Sequence, residues 1–506
     1  MSMATTALRR WTELNGIRAG FLRRCEGWAS LTIRKICLPS GYDQYSTDLQ
    51  HDWQSVGAQS VNHVCNKLLL SLFAPSRPFG RLDPTAKILA QLKETGTPRA
   101  ELDEQLAAAE ADAVRELDQS ASRPKLYEAL KHLVVTGNVL MYLGDEAMRI
   151  MGIKNYCVKR DCEGKLLEGL ICESVRFDEL AQEIRSVLMY GAFQPDTKVC
   201  LFKWIVRTDA GEYAMTQWVD NYLLPASFNG KWPEEKLPYR FLTWDLSDDS
   251  DYGTGLVEDY AGDFQSLSSL SQATIEGALL SSEYRWLANP AGMTRPEDFE
   301  AAPNGAVLPG DKADLSLIQA EVGNALTVQR QISEDYIQRI GRGFLLGSAV
   351  TRNAERVTAE ELRMQAEELE TSLGGAYSRL AVDMQRPIFL WLLKRIKLTY
   401  KGTDFQPVIV TGLDALSRSG DVENMKRWLA DMASLAALPP ALLGMLNLQA
   451  IAQSFGSGYG IRTSELMKTP EQMRQEQAQA QQQQLEQQAS EAGVQVAAQQ
   501  AVNQQE

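Results

Sequence analysis

Apolar residues recur at intervals of three and four from residue 47 to 73, at Leu49, Trp53, Val56, Val61, Val64, Leu68 and Leu72. That spacing predicts an amphipathic helix, stopped by Pro75 and Pro78. A second, alanine-rich helix is expected from about residue 98 to 119, with Leu102, Leu106, Val114 and Leu117 on one side. A third begins near Pro124, suited to a first helical turn, and carries Leu126, Leu130, Leu133 and Val134. The period then shortens. Residues 138–143 read as a strand, and 156–159 with 166–172 bracket Asp161-Cys162-Glu163-Gly164, a hairpin signal. Residues 176–188 return to helix, 199–207 and 212–219 form a second hairpin around Asp209-Ala210-Gly211, and 231–255 read as a loop. The first half is therefore expected to be an α+β domain.

From Gly255 the helical period returns and holds. Leu256, Tyr260, Phe264, Leu267, Ser271, Thr274, Ala278 and Ser282 keep three-four spacing without proline, over about thirty residues or ~45 Å of helix. Ser266, Ser268, Ser269, Ala273, Gly277, Ala278, Ser281 and Ser282 make it rich in small side chains, which lets neighbouring helices approach closely. Asn289-Pro290 ends it, and a Pro/Gly-rich insert to about Leu317 includes a short extended piece at 306–308. A second long helix follows from about 324 to 346, with Val328, Ile332, Tyr336, Ile340 and Phe344 spaced four apart. Two long helices joined by a compact insert form an αα-hairpin with a head. Residues 348–356 are polar and carry arginines. Thr358 with Glu361 is a capping box for a helix to about Leu373. Gly374-Gly375 bends the chain, 377–396 continue as an apolar helix, 401–413 look extended, and 421–448 are helical around Pro439-Pro440. Residues 472–506 are glutamine-rich and bury too little apolar surface to offset ordering entropy.

Composition narrows the function. The 506 residues include 51 Lys+Arg against 65 Asp+Glu, a net charge of −14, and 44% are hydrophobic. An acidic chain of this length holds several domain-sized cores and does not grip nucleic acid by counterion release, although nucleic acid can still pass it. Seven cysteines without a CxxC pair and three histidines (His51, His63, His132) provide no zinc framework. The cysteines read as free, buried thiols of a protein made in a reducing cytosol. No apolar signal region opens the chain. The uncharged run 432–461 is broken by the proline pair and carries Asn447, Gln449 and Gln453, so it reads as buried helix rather than a membrane span.

Nucleotide motifs fail. Gly164-Lys165 lacks the glycine and hydroxyl of a P-loop, Gly253-Thr254-Gly255 lacks a third glycine, and no GxSxG elbow exists. The acidic run Asp245, Asp248, Asp249, Asp251 fits a twelve-residue cation loop poorly, with Ser247 first and Tyr252 where glycine belongs. Carboxylates favoured at the start of a long helix are the better reading, and no metal or cofactor is expected. Arg330, Arg339, Arg342, Arg352 and Arg356 form the other cluster. On an isolated chain they would be a solvated helix face with Glu/Arg pairs.

Residues 244–396 resemble the portal, or head-to-tail connector, proteins of short-tailed double-stranded DNA bacteriophages of the podophage/autographivirus type. The segments that carry the resemblance are Asp248 to Tyr260, Ala291-Gly292-Met293-Thr294 and Ser348-Ala349-Val350-Thr351-Arg352, and the match is collinear across most of the chain, including 156–162 and 176–180, with little beyond Pro470. The resemblance implies a mainly α fold with α+β parts, assembled as a ring, usually of twelve subunits, around a central channel. It implies a wing at 1–255, stem helices at 256–288 and 324–346, a clip at 289–323 and a tunnel loop at 347–357. Further wing helices at 358–414, a crown at 415–470 and the Gln-rich tail at 471–506 complete the layout. The implied role is mechanical: the ring nucleates head assembly, docks the terminase large subunit for packaging, joins head to tail and lets the genome exit. Implied partners are copies of itself, capsid and scaffolding proteins, tail adaptor and tail tube proteins, internal core proteins and DNA in transit, with no membrane. The expected location is the virion's unique vertex. The five arginines become candidates to face the channel, and Arg295, Glu297, Asp298 and Glu300 become clip residues for docking partners. The alternatives are a helical scaffold with no DNA role, or a metal-dependent enzyme using the 245–258 carboxylates.

Overall fold

The computed structural model describes residues 6–43, 45–49, 52–74, 78–83, 99–188, 194–319, 323–346, 368–369, 371–373, 375–396, 408–411 and 430. All but residue 430 belong to the first of two units, Met1–Ala415 and Leu416–Glu506. Apart from residue 430, the expected helices at 421–448 lie outside the described residues, as do the capping box at Thr358 and the glutamine-rich end.

The N-terminal part of the first unit holds five helices: α1 (Ala7–Ile17), α2 (Ala19–Leu31), α3 (Val56–Leu72), α4 (Arg99–Gln119) and α5 (Ser122–Thr136). Strand β1 (Gly80–Asp83) pairs antiparallel with the late strand β13 (Val408–Thr411). A three-stranded sheet has β2 (Asn138–Leu143) between β3 (Met148–Met151) and β10 (Tyr239–Thr243). The larger antiparallel sheet runs β4 (Tyr156–Arg160), β5 (Leu166–Arg176), β6 (Lys198–Arg207), β7 (Glu212–Val219) and β8 (Tyr222–Leu223), with β9 (Gly230–Pro233) also on β7. Alternation along β6 serves two cores. Val199 and Leu201 pack with Leu180, Ile184 and Val219 on one face, while Phe202 meets Leu170 and Ala7 of α1 on the other.

A buried guanidinium ties the N-terminal helices to this body. Arg18, 3% exposed, donates to the carbonyls of Ile153, Tyr156 and Lys154 and to Asn15 Oδ1. On α1, Arg10 donates to both oxygens of buried Glu168 on β5, which also accepts from the Trp204 indole on β6.

Several elements differ from the sequence expectation. Helix α3 starts at Val56, later than the periodicity suggests, because the residues before it bond elsewhere. Gln54 donates to Leu31 O (2.7 Å) and accepts from the Gly57 N–H (2.8 Å), and Asp52 accepts from the Ser268 hydroxyl. The expected loop 231–255 contains β10, whose register on β2 joins Tyr239 to Tyr142. Pro233 and Pro238 masked that strand in the pattern. Helix 176–188 shrinks to the short α6 (Gln182–Val187) after a 3-10 turn. The apolar helix after Gly375 is α11 (Ala376–Leu380), a π turn at Ala381–Gln385, and α12 (Arg386–Arg395). Pro387 has no N–H to give to residue 383, and the wider turn absorbs the loss.

The body meets the approach to the next long helix through a contact of bare backbone. Gly137 ends α5 with φ +72, and a Cβ there would lie 2.4 Å from the Thr254 carbonyl carbon. A Cβ on Gly255 would lie 2.7 Å from Gly137 N and from Val134 O. Buried Asn138 clasps the joint by donating to Gly253 O (2.6 Å) and accepting from Gly253 N (2.9 Å). Truncation as Asn138→Ala strands both groups of the Gly253 peptide away from water. It is expected to cost about 1–3 kcal/mol and to lower the melting midpoint; an unchanged midpoint would contradict the clasp.

Candidate functional site

After a single turn, α7 (Leu256–Asp259), the chain enters α8 (Ala261–Ser282) and returns as α10 (Gly323–Gly343). Contacts run in opposite order along the two, so they are antiparallel: Arg339 pairs with Asp263 (3.3 Å), Thr274 meets Gln329, and Gly277 faces Leu326. Next to the body the pair is well packed. The Phe344 ring meets those of Tyr260 (5.3 Å) and Phe264 (5.6 Å), and a Cβ on Gly343 would strike Tyr260. Farther out the apolar residues lose their cover. Leu279 is 63% and Val328 57% exposed, and Ile275, Leu280, Ile332 and Ile337 are also exposed.

Helix α8 stops at Ser282, short of the expected 288, because residues 284–288 form strand β11 (Tyr284–Ala288). It pairs antiparallel with β12 (Leu315–Gln319). The alternating aromatics Tyr284 and Trp286 favour the pleat over the helix. No strand forms at 306–308, where Val307 is 97% exposed. Between the strands sits α9 (Pro296–Ala301), whose Phe299 meets Trp286 at 5.3 Å. The Asp314 carboxylate organises this head. Its Oδ2 accepts from the backbone N–H of Met293 (2.9 Å) and Thr294 (3.1 Å) and from the Thr294 hydroxyl (3.1 Å). A Cβ on Gly292 would fall 2.3 Å from that carboxyl, which explains the glycine in the 291–294 segment. Tyr284, Trp286, Leu287, Met293 and Leu317 leave the head with much exposed apolar surface.

The sequence-selected residues separate. Arg330 is exposed and pairs with Glu334, one turn along the same helix. Arg339 pairs with Asp263 and lies over the Tyr336 ring at 5.1 Å. Arg342 is exposed and has no ion pair among the described residues. Arg339 and Arg342, three apart, share a face beside the body. Arg330 lies about 13 Å from Arg339 and about 18 Å from Arg342 along the axis, about half and a third of a turn round it, so the three do not form one cluster. Arg352 and Arg356 lie outside the described residues. Arg295, Glu297, Asp298 and Glu300 are all exposed, at and within α9.

The acidic run is dispersed into separate contacts. Asp245 pairs with Arg379 (2.8 Å), Asp251 Oδ1 accepts from the Arg160 N–H (2.7 Å), and Asp249 takes φ +62 in a turn. Tyr252 accepts from Val158 N and stacks on Phe21 at 5.1 Å. Burial raises the pKa of Glu258 and Asp259. Among the described residues no three metal-ligating side chains converge, and no helix is long and apolar enough to cross a membrane. All seven cysteines are free; Cys25, Cys37, Cys65 and Cys157 are buried, while Cys162 is exposed on its turn, contrary to a uniformly buried set. Sequence reasoning missed Asn138 and Asp314; the glycines beside their partners, Gly253 and Gly292, were the available signal.

The described chain is thus an α+β body, an antiparallel helical hairpin with open apolar faces and a small stranded head. Residues 4–467 match the model of the bacteriophage head to tail connecting protein, and the chain belongs to that family. It is 33% identical to the portal protein of Escherichia phage T7 across 92% of this chain and 89% of that one. To the portal protein of Pseudomonas phage phiKMV it is 31% identical, covering 94% of each. Among solved structures, the neck of a native gene transfer agent particle, computed with C12 symmetry, aligns at a TM-score of 0.32 and 12% identity, covering 79% of this chain and 99% of that one.

Backbone N–H donors at Thr294, then its hydroxyl and the Met293 N–H, hold the Asp314 pKa below the usual carboxylate value. A depressed folded pKa means the head keeps this contribution above the unfolded value near 4 and loses it as pH falls through the lower folded one. Hydrogen exchange of the Met293 and Thr294 amides should therefore stay slow at pH 5. Asp314→Asn should speed it at neutral pH, and exchange as slow as wild type in the variant would refute the role given to the carboxylate.

Proposed function

We propose that this chain is the portal protein of a short-tailed phage, forming the ring through which the genome enters and leaves the capsid. The match to the connector family across residues 4–467 carries that reading. The exposed apolar residues of α8 and α10 support its oligomeric part, since a water-soluble monomer rarely leaves such surface open. Twelve copies is the number we favour. In that ring the α+β body is the wing, α8 and α10 the stem, residues 289–323 the clip, 347–357 the tunnel loop and 415–470 the crown. The role is mechanical: head nucleation, terminase docking during packaging, and tail attachment. Its partners are capsid, scaffolding, tail and internal core proteins.

The clip offers Arg295, Glu297, Asp298 and Glu300 to the motor or tail, because all four are exposed on α9. Of the channel candidates, Arg342 is favoured, since Arg330 and Arg339 already have carboxylate partners. Arg352 and Arg356 keep their candidacy by sequence position.

Purified protein should run at the mass of a closed ring and appear as rings in negative stain. Monomer or dimer at every concentration would overturn the reading. Arg342→Ala should leave rings intact and lower the amount of DNA packaged per head, measured by protection from nuclease, whereas Arg330→Ala should package as wild type. Full packaging by Arg342→Ala would remove that residue from the channel.

A further inference from the structure

One face of α3 receives the chain on both sides of the segment that follows α10. His63, Lys67 and Ser71 recur every fourth residue and so stand one above another on the helix. The His63 ring nitrogen Nε2 lies 2.9 Å from the Leu345 carbonyl, the last turn of the outgoing chain. Lys67, buried, pairs with Glu368 where the chain is next described (3.4 Å). The Tyr377 hydroxyl donates to Ser71 O, and Gln385 donates to Leu72 O. The order along α3 is the order along the returning chain. The two contact points on α3, His63 and Lys67, stand about 6 Å apart along its axis, one helical turn.

The outgoing foot has a shape that needs holding. Helix α10 closes with Leu346 N–H bonded to Gly341 O (2.7 Å) and Leu345 N–H to Arg342 O (3.3 Å), and Leu345 has φ +56. That is the left-handed helix stop where glycine is usual, because a Cβ crowds the backbone there. Leucine occupies it here, nearly buried, with its carbonyl turned onto His63. Burial lowers the His63 pKa, so at neutral pH the ring carries one proton, and a carbonyl partner assigns it to Nε2.

We propose that His63 and Lys67 are positioning residues: they hold Leu345 and Glu368, the described residues flanking 347–367, on α3 and so set where that stretch of chain starts and ends. The proposal rests on reading residues 347–357 as the tunnel loop. Its content is independent of any arginine that loop carries, because the two fixed points are Leu345 and Glu368. Lys67 supplies a buried charge paired with Glu368, and His63 supplies a directional donor; the pair fixes both place and angle.

The experiment uses rings of the full chain carrying His63→Ala, His63→Gln or Lys67→Met, and heads assembled with each. Glutamine retains an N–H donor near the position of Nε2, so it separates the hydrogen bond from the mere presence of a ring. Hydrogen exchange is followed in the peptides covering 340–346 and 368–373, and packaged DNA is measured by nuclease protection. In His63→Ala the 345 and 346 amides should exchange at least tenfold faster, with ring mass unchanged and packaging reduced. His63→Gln should restore most of both, and Lys67→Met should loosen 368–373. Unchanged exchange in His63→Ala and Lys67→Met overturns the anchor. Faster exchange with full packaging overturns its positioning role. A companion chain shortened within 347–357, both feet intact, tests the underlying reading separately: wild-type packaging there removes the tunnel loop and leaves the exchange result to judge the anchor.

Discussion

The contact of backbone on backbone at Gly137, Gly253 and Gly255 is the constraint from which the arrangement of this chain follows. The turn closing α5 and the approach to α8 come so near that a methyl group at Gly137 would overlap the Thr254 carbonyl. Asn138 then satisfies both polar groups of the Gly253 peptide, which would otherwise be buried without partners. The hairpin's other ties to the body include Ser268 to Asp52 and Leu345 to His63. Its buried contacts, at Phe264, Leu267, Ile340 and Phe344, all lie within the turns nearest the body. Beyond them, among the described residues, the partner helix is the support of each arm of the hairpin. A joint without side-chain slack is what gives a long projection a defined direction.

The outer hairpin and head carry the opposite property. Leu279, Val328, Trp286, Leu287 and Met293 are exposed on one subunit. Summed over two helices and a sheet, such surface is a liability for a monomer and an interface for a ring, because burying it releases about 25 cal/mol per Å². The small side chains of α8 serve contacts within the chain. Gly277 lets Leu326 approach, and Ser268 reaches Asp52 in the lead-in to α3. Close helix packing and close subunit packing draw on the same residue types, so composition alone cannot assign them.

Periodicity made the helices and the two main hairpins legible, down to the β7 boundaries at Glu212–Val219. It failed where tertiary hydrogen bonds took precedence. Residues 52–54 look helical by spacing yet bond to Leu31, Gly57 and Ser268. Residues 284–288 lack proline and read as a continued helix, but the pairing partner that makes them a strand lies thirty residues on. Three-four spacing also cannot say which stripe is covered. Val328, Ile332, Ile340 and Phe344 follow one rule in sequence, and only the last two are buried. Of the segments that signalled the family, two have a physical account in the described residues. The glycines of 253–255 permit the joint, and Gly292 permits the Asp314 head. The arginines were legible as a set but not as an arrangement, since ion pairing with Asp263 and Glu334 depends on contacts and helix phase that charge counting ignores.

The acidic balance acquires a meaning only at the level of the assembly. At −14 per chain, twelve subunits would carry about −170, a field that repels a polyanion. For a conduit that repulsion is useful. DNA must slide past at speed in both directions, and each tight phosphate contact would add a barrier to every step. The pairing of Arg330 with Glu334 and of Arg339 with Asp263 works in the same sense by lowering the positive charge available on the hairpin. What such a channel requires is a small number of contacts at a controlled position. Under the proposed reading, His63 and Lys67 would hold Leu345 and Glu368, the described residues flanking the segment that supplies them.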